Sequence, residues 1–156
     1  MSYIERNLLP DERILFFTKK HIIIFFFPMV WTIFSIYAAA YMQANFILDK
    51  LAWMPGLLAA FFWIYVGIEY VTSEFAVTNK RVMMREGFFY RHATELRLAT
   101  ISQVMVDQSL LGQMLNYGAV TINAFGAFDV FTLINKPLLF QKIVNEQLDK
   151  LTSSTR

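Results

Sequence analysis

Ile22–Val71 reads IIIFFFPMVWTIFSIYAAAYMQANFILDKLAWMPGLLAAFFWIYVGIEYV, and 39 of these 50 residues are aliphatic, aromatic or Met. Ile22–Met42 supplies 21 residues without a charge, about 31 Å of helix against a hydrocarbon core of about 30 Å. Leu51–Ile68 supplies 18 more, about 27 Å, carried to the interface by Tyr70 and Val71. Only Gln43–Lys50 lies between them, too short for a domain, so 22–42 and 51–71 are expected to form an antiparallel transmembrane hairpin. A cleaved signal peptide fits poorly, because its apolar core is about 7–15 residues long and the leader here carries Glu5, Asp11 and Glu12. A buried hairpin in a soluble protein would need more chain than the remaining 106 residues to cover two helices that are apolar on all sides.

Away from the hairpin, 23 of 106 residues are charged, an ordinary proportion for a soluble domain. The chain contains no Cys, which excludes disulfides, thiol nucleophiles and cysteine-ligated metals. A net charge of +2 is too small for a nucleic-acid face, so no nucleic-acid partner is expected.

Orientation follows from Lys and Arg. Arg6, Arg13, Lys19 and Lys20 precede the first apolar segment, Lys50 alone lies in the connection, and Lys80, Arg81 and Arg85 follow the second. Both termini are therefore expected on the cytoplasmic side. Lys19, Lys20 and Tyr70 mark the near interface, Tyr41 and Trp53 the far one. Trp31 and Trp63 fall at equal depth and are expected to pack together. Ser35 and Ala39 on one helix, with Gly56 and Ala60 on the other, offer small residues at a spacing of four for a helix–helix seam or an oligomer contact. No ionisable residue falls deep in either segment, so the hairpin reads as an anchor rather than a transport path.

From Ser73 onward the texture changes to short alternating runs bounded by turn residues. Glu74–Thr78 and Arg81–Arg85 flank Asn79-Lys80, a two-residue connection with Asn available for positive φ. Further strands are expected at Ala93–Leu98, Ser102–Gln108, Ala119–Phe125 and Phe128–Ile134, with a helical turn and loop in LLGQMLNYG, Leu110–Gly118. A closed or nearly closed small barrel would protect the strand edges. Asn135 suits an N-cap with Lys136 and Pro137 in the first turn, and Leu138, Leu139, Ile143, Val144, Leu148 and Leu151 recur at helical spacing. Residues 152–156 are expected to fray. Before the hairpin, Arg13–Thr18 reads as one more strand or as a segment lying on the headgroups. The expected organisation is thus a cytoplasmic segment 1–21, the hairpin 22–71, a β-rich domain 73–151 and a tail.

FAVTNKRVMMREGFF (Phe75–Phe89), LATISQVMVDQSLLGQMLNYGAVTI (Leu98–Ile122) and the terminal helix together resemble bacterial pleckstrin-homology-like domains, specifically the group with a transmembrane hairpin ahead of the β-rich part. The resemblance spans roughly Leu9–Leu151. It implies a membrane-anchored α+β protein: a two-helix hairpin plus a bent antiparallel β-barrel capped by the C-terminal helix, set in the bacterial inner membrane.

Catalytic chemistry finds little support. His21 and His92 lack the acidic or Ser neighbours that hydrolase or zinc patterns use, and no Gly-rich phosphate loop occurs. No cofactor, metal or catalytic residue is expected. A basic cluster of Lys80, Arg81, Arg85, Arg91 and Arg97, opposed by Glu86 and Glu95, offers a lipid or partner surface, although the positive-inside rule alone also accounts for it. Phe88 and Phe89 cannot both be buried by alternation, so one ring should face lipid or a partner. Phe125, Phe128 and Phe131 are expected in the core. The expectation is a non-enzymatic binding or assembly module at the membrane, with lipid and either a homo-oligomer or another membrane protein as partner. The alternative is a component of an oligomeric membrane enzyme or transport complex with a site at subunit contacts.

Overall fold

The computed structural model describes residues 3–45, 48–87 and 92–154. These divide into two compact units, one formed by 1–21 together with 72–156 and the other by Ile22–Val71.

The first unit opens with a short helix, α1 (Tyr3–Arg6), and strand β1 (Ile14–Thr18). After the intervening helices come β2 (Glu74–Thr78), β3 (Arg81–Glu86), β4 (His92–Arg97), β5 (Ile101–Asp107), a second short helix over Leu110–Leu115, β6 (Tyr117–Ala124) and β7 (Ala127–Asn135). A long helix over Pro137–Ser154 closes the chain. The expected strands exist, each within about two residues of its sequence-derived bounds, and Arg13–Thr18 resolves in favour of a strand. Ile14–Thr18 pairs antiparallel with β2, Thr18 opposite Phe75. The hairpin is therefore inserted between two neighbouring strands of one sheet.

The strands do not form a closed barrel. They form two antiparallel sheets, β1-β2-β3-β4 and β5-β6-β7. One corner is crossed covalently by the 3₁₀ turn Leu98–Thr100. The other is stitched by main-chain bonds from His21 N–H to Leu133 O (2.6 Å) and from Asn135 N–H to Lys19 O (3.2 Å), which stop short of a continuous ladder. A bulge makes the first of these bonds possible. Gly118 faces Ile134 while Val120 faces Phe131, and the extra residue is absorbed by Leu133 at φ 58°.

Both sheets and the terminal helix share one core. Phe75, Val77, Val82 and Met84 come from the first sheet, Val104, Val120, Ile122 and Phe131 from the second, and Phe140 and Val144 from the helix. Four expectations change here. Asn135 is the last residue of β7 rather than an N-cap, because Lys136 adopts φ 55° and the helix begins at Pro137. The buried stripe centres on Phe140 and Val144, while Leu138, Leu139 and Leu151 are exposed. The helix also reaches Ser154, beyond Thr152 where fraying is expected. Of the three phenylalanines assigned to the core only Phe131 is buried; Phe125, at φ 52° beside Gly126, and Phe128 project from the β6–β7 turn.

The second unit contains α2 (Phe26–Gln43), preceded by a 3₁₀ turn Ile22–Phe25, and α3 (Met54–Thr72), preceded by a 3₁₀ turn Asp49–Leu51. With those turns included, Ile22–Gln43 and Asp49–Thr72 are each long and apolar enough to cross a membrane. Pro28 and Pro55 lie in the first turns of their helices, where a missing N–H costs nothing. Trp31 and Trp63 take different neighbours: Trp31 packs on Phe34 and Phe62, whereas Trp63 stacks on Phe25 and donates to Thr32 Oγ1 at 2.9 Å.

Candidate functional site

The basic residues divide by what holds them. Thr78-Asn79-Lys80-Arg81, the turn between β2 and β3, fastens the segment before β1 almost residue by residue. The Thr78 hydroxyl donates to Glu12 Oε1 at 2.7 Å. Asn79 accepts from the Arg13 amide at 2.9 Å and donates to Asp11 O at 3.2 Å, and its φ is not positive, so it serves through its side chain. Lys80 Nζ donates to Pro10 O at 2.8 Å. Arg81 grips Glu12 with two parallel bonds of 3.0 Å, reaches Asn7 O at 2.6 Å and pairs with Glu95.

Glu12, which the sequence marks only as a charge of the leader, is the centre of this network. Burial alone would raise its carboxyl, but hydrogen bonds from Arg81, the Leu9 amide and Thr78, with the Arg81 charge, outweigh that and hold it below the ordinary carboxylate range. The Glu12 bond and its negative charge, resisted by partial burial, in turn raise Arg81. Bidentate pairing of this kind fixes both side chains.

The remaining described members, Arg85 and Arg97, have other settings. Arg97 is exposed opposite Arg81, while Arg85, four residues along β3, sits with its guanidinium carbon 4.5 Å over the Tyr3 ring. Tyr3 and Ile4 of α1 cover Ala76 and Met83 on the outer face of the first sheet. Arg91, Phe88 and Phe89 lie outside the described residues. Among the described members, Arg81 is engaged by two carboxylates and Lys80 by a carbonyl.

Lys19 and Lys20 lie at the other end of β1. Lys20 is buried, 3.5 Å from Glu86, while Lys19 is half-buried and its carbonyl accepts from Asn135. Within the hairpin, Tyr41 and Trp53 are exposed, Trp53 donating to Lys50 O at 2.9 Å, and Tyr70 rests on Phe25. Ser35 is buried and, with Ala39, Gly56, Ala60 and Trp63, borders a groove of about 310 Å³. The buried positions of the second apolar segment are Ala52, just before α3, and Ala59 and Val66 within it, seven residues apart, rather than Gly56 and Ala60. A Cβ on Gly56 would meet nothing within 4 Å, so close approach does not require that glycine.

Leu110–Leu115, designated α4, is the most tightly specified local element. Ser109 caps it by accepting from the Gly112 amide at 3.1 Å, and Asn116 ends it in the left-handed region at φ 59°. Gln108 Nε2 lies 3.0 Å from Tyr117 O and 3.3 Å from Gly112 O. A Cβ on Gly112 would stand 2.6 Å from Tyr117 O, and one on Gly118 would stand 2.7 Å from Asp107 O. Within the Leu98–Ile122 stretch, local geometry thus accounts for Gln108, Ser109, Gly112 and Gly118.

The sequence matches the bacterial PH domain family over residues 22–151. The chain belongs to that family. No curated protein and no solved structure matches it. The match takes in both apolar helices and the chain from β2 to the terminal helix, whereas β1 and the Glu12 segment precede it.

The two histidines occupy ordinary settings. His92 is exposed, with Nε2 3.0 Å from Thr94 Oγ1, and His21 stacks on Tyr117 at 5.2 Å. Among the described residues no group of three or more His, Asp or Glu side chains is placed to hold a metal.

Proposed function

We propose that this bacterial PH domain protein is a two-pass protein of the inner membrane with both termini in the cytoplasm. Its PH-like unit is a non-enzymatic binding and assembly module held at the membrane face. The observation that carries this reading is the placement of the hairpin: Ile22–Val71 leaves the sheet after β1 and returns to the adjacent, hydrogen-bonded β2. A domain tethered through two neighbouring strands stays at the bilayer.

Apolar helices of sufficient length and the Lys and Arg distribution support the anchor and its direction. Engagement of Glu12, Thr78, Asn79, Lys80 and Arg81 with one another and with the N-terminal segment supports a structural role for that polar cluster. The partners are membrane lipid and either a second copy or another membrane protein.

The test is photo-crosslinking of the full chain in its native membrane, followed by mild detergent extraction. A discrete crosslinked species, homo-oligomeric or heteromeric, together with retained lipid, is the expected result. Recovery of a lone monomer without lipid preference overturns the proposal.

A further inference from the structure

The α4 helix is largely apolar and exposed. Leu110 and Met114 are 81% exposed, Leu111 63% and Leu115 47%, whereas Gly112 on the opposite side is buried against Tyr117. The capping by Ser109, the Gln108 clamp and the left-handed Asn116 hold this surface in one geometry. Leu138 and Leu139, exposed at the start of the terminal helix, adjoin it, since Lys136 N–H donates to Asn116 O. A fixed cluster of exposed large aliphatic side chains marks a contact surface.

The register shows which end of the unit carries that cluster. Thr18 lies opposite Phe75, so β1 ends and β2 begins at one end of the first sheet. At that same end Lys20 bridges to Ile134, His21 N–H bonds Leu133 O and the His21 ring stacks on Tyr117, the residue following the Asn116 cap. Tyr117 in turn lies opposite Asn135. The cluster therefore sits beside His21, the last residue before the apolar helix begins at Ile22. Phe125, the other highly exposed apolar tip, stands at the far end of β6, roughly 23 Å away at strand rise.

We infer that α4 is a membrane wedge: its leucines and Met114 enter the boundary between headgroups and acyl chains and fix the tilt of the PH-like unit on the bilayer. This rests on the anchor proposed above. The occupant is lipid because the surface adjoins the point where the chain passes into its apolar helix, and because α4 itself carries no charge that the interface would have to solvate.

The chain contains no Cys, so single thiols can be introduced directly. Full-length Leu111→Cys, Met114→Cys, Phe125→Cys, Ile33→Cys and Ile64→Cys are labelled with an environment-sensitive fluorophore in vesicles of phosphatidylethanolamine and phosphatidylglycerol. All five positions are exposed, so the substitutions leave packing intact. The wedge predicts blue-shifted emission at 111 and 114 that is quenched by doxyl lipid more than by aqueous iodide, with the reverse at 125. Iodide quenching at 111 and 114 equal to that at 125, while 33 and 64 remain lipid-quenched, overturns the wedge and leaves the anchor standing. Protection at 111 and 114 from both quenchers assigns the surface to a protein contact and also overturns it. Aqueous quenching at 33 and 64 removes the anchor itself, and the wedge with it.

Discussion

Glu12 and Arg81 meet in a two-point ion pair, Nε to Oε1 and Nη2 to Oε2 each at 3.0 Å, across 69 positions of sequence that include both apolar helices. The Glu12 side chain is wholly buried and that of Arg81 nearly so. Removing the guanidinium leaves a buried carboxylate with two hydrogen bonds but no opposite charge, whereas removing the carboxylate leaves Arg81 with Glu95. Arg81→Ala should accordingly cost about 3–5 kcal/mol and Glu12→Ala about 1–3 kcal/mol. Arg81→Lys should fall short of full rescue, because an ammonium cannot present two parallel N–H bonds. Thermal unfolding of the three variants in one detergent ranks them.

Acid sensitivity follows from the same pair. The folded Glu12 carboxyl lies below its ordinary value of 4.5, so the unfolded chain takes up the proton first as pH falls. The stability Glu12 contributes is complete above that ordinary value and is lost as pH drops through the lower, folded value. Melting curves recorded from neutral pH downward should show a constant gap between the parent and Glu12→Ala to about pH 5, then a narrowing one. A gap that widens in acid would contradict the assignment.

Gly112 seats α4 through a backbone contact that a methyl group cannot share. Gly112→Ala should destabilise the unit by about 1–3 kcal/mol and raise amide exchange in Leu110–Leu115. Ser109→Ala removes only the cap and should cost about 1 kcal/mol. Hydrogen exchange of the two variants separates a displaced helix from a frayed one.

Asn45 and Ser153 should face opposite compartments. With impermeant maleimide on intact spheroplasts, Asn45→Cys should react at once and Ser153→Cys only after permeabilisation. The reverse pattern would invert the assigned topology.

Elements set by local chemistry were legible in the sequence: the apolar helices by length, β2 and β3 by composition around a short turn, and the terminal helix by its period. Four features were not. The α1 helix has four residues, too few to show a period, yet Ile4 is fully buried and covers the outer face of β2. Ala76 is buried for that reason and Thr78 by the Glu12 segment, so all five β2 residues are buried and the alternation expected of a half-covered strand is lost. The separation into two sheets depends on a corner where Leu133 turns to positive φ to meet His21, a relation across more than a hundred residues. Lys80 and Arg81 looked available because their partners, Pro10 and Glu12, lie about seventy residues away along the chain. The surface of α4 was present as letters in QSLLG, but exposure, unlike hydrophobicity, belongs to the folded chain.

The insertion between β1 and β2 also sets an order of events during synthesis. Thr18 leaves the ribosome long before Phe75, and everything from Ile22 to Val71 must be delivered between them. At the usual pace of translation, about 5–20 residues per second, β1 waits several seconds for its neighbour. With the proposed anchor, that interval is when the helices enter the bilayer. Closure of the first sheet then serves as a checkpoint: the domain completes its fold only after both crossings are made, and a chain stalled within the hairpin presents an unpaired β1 edge to proteolysis.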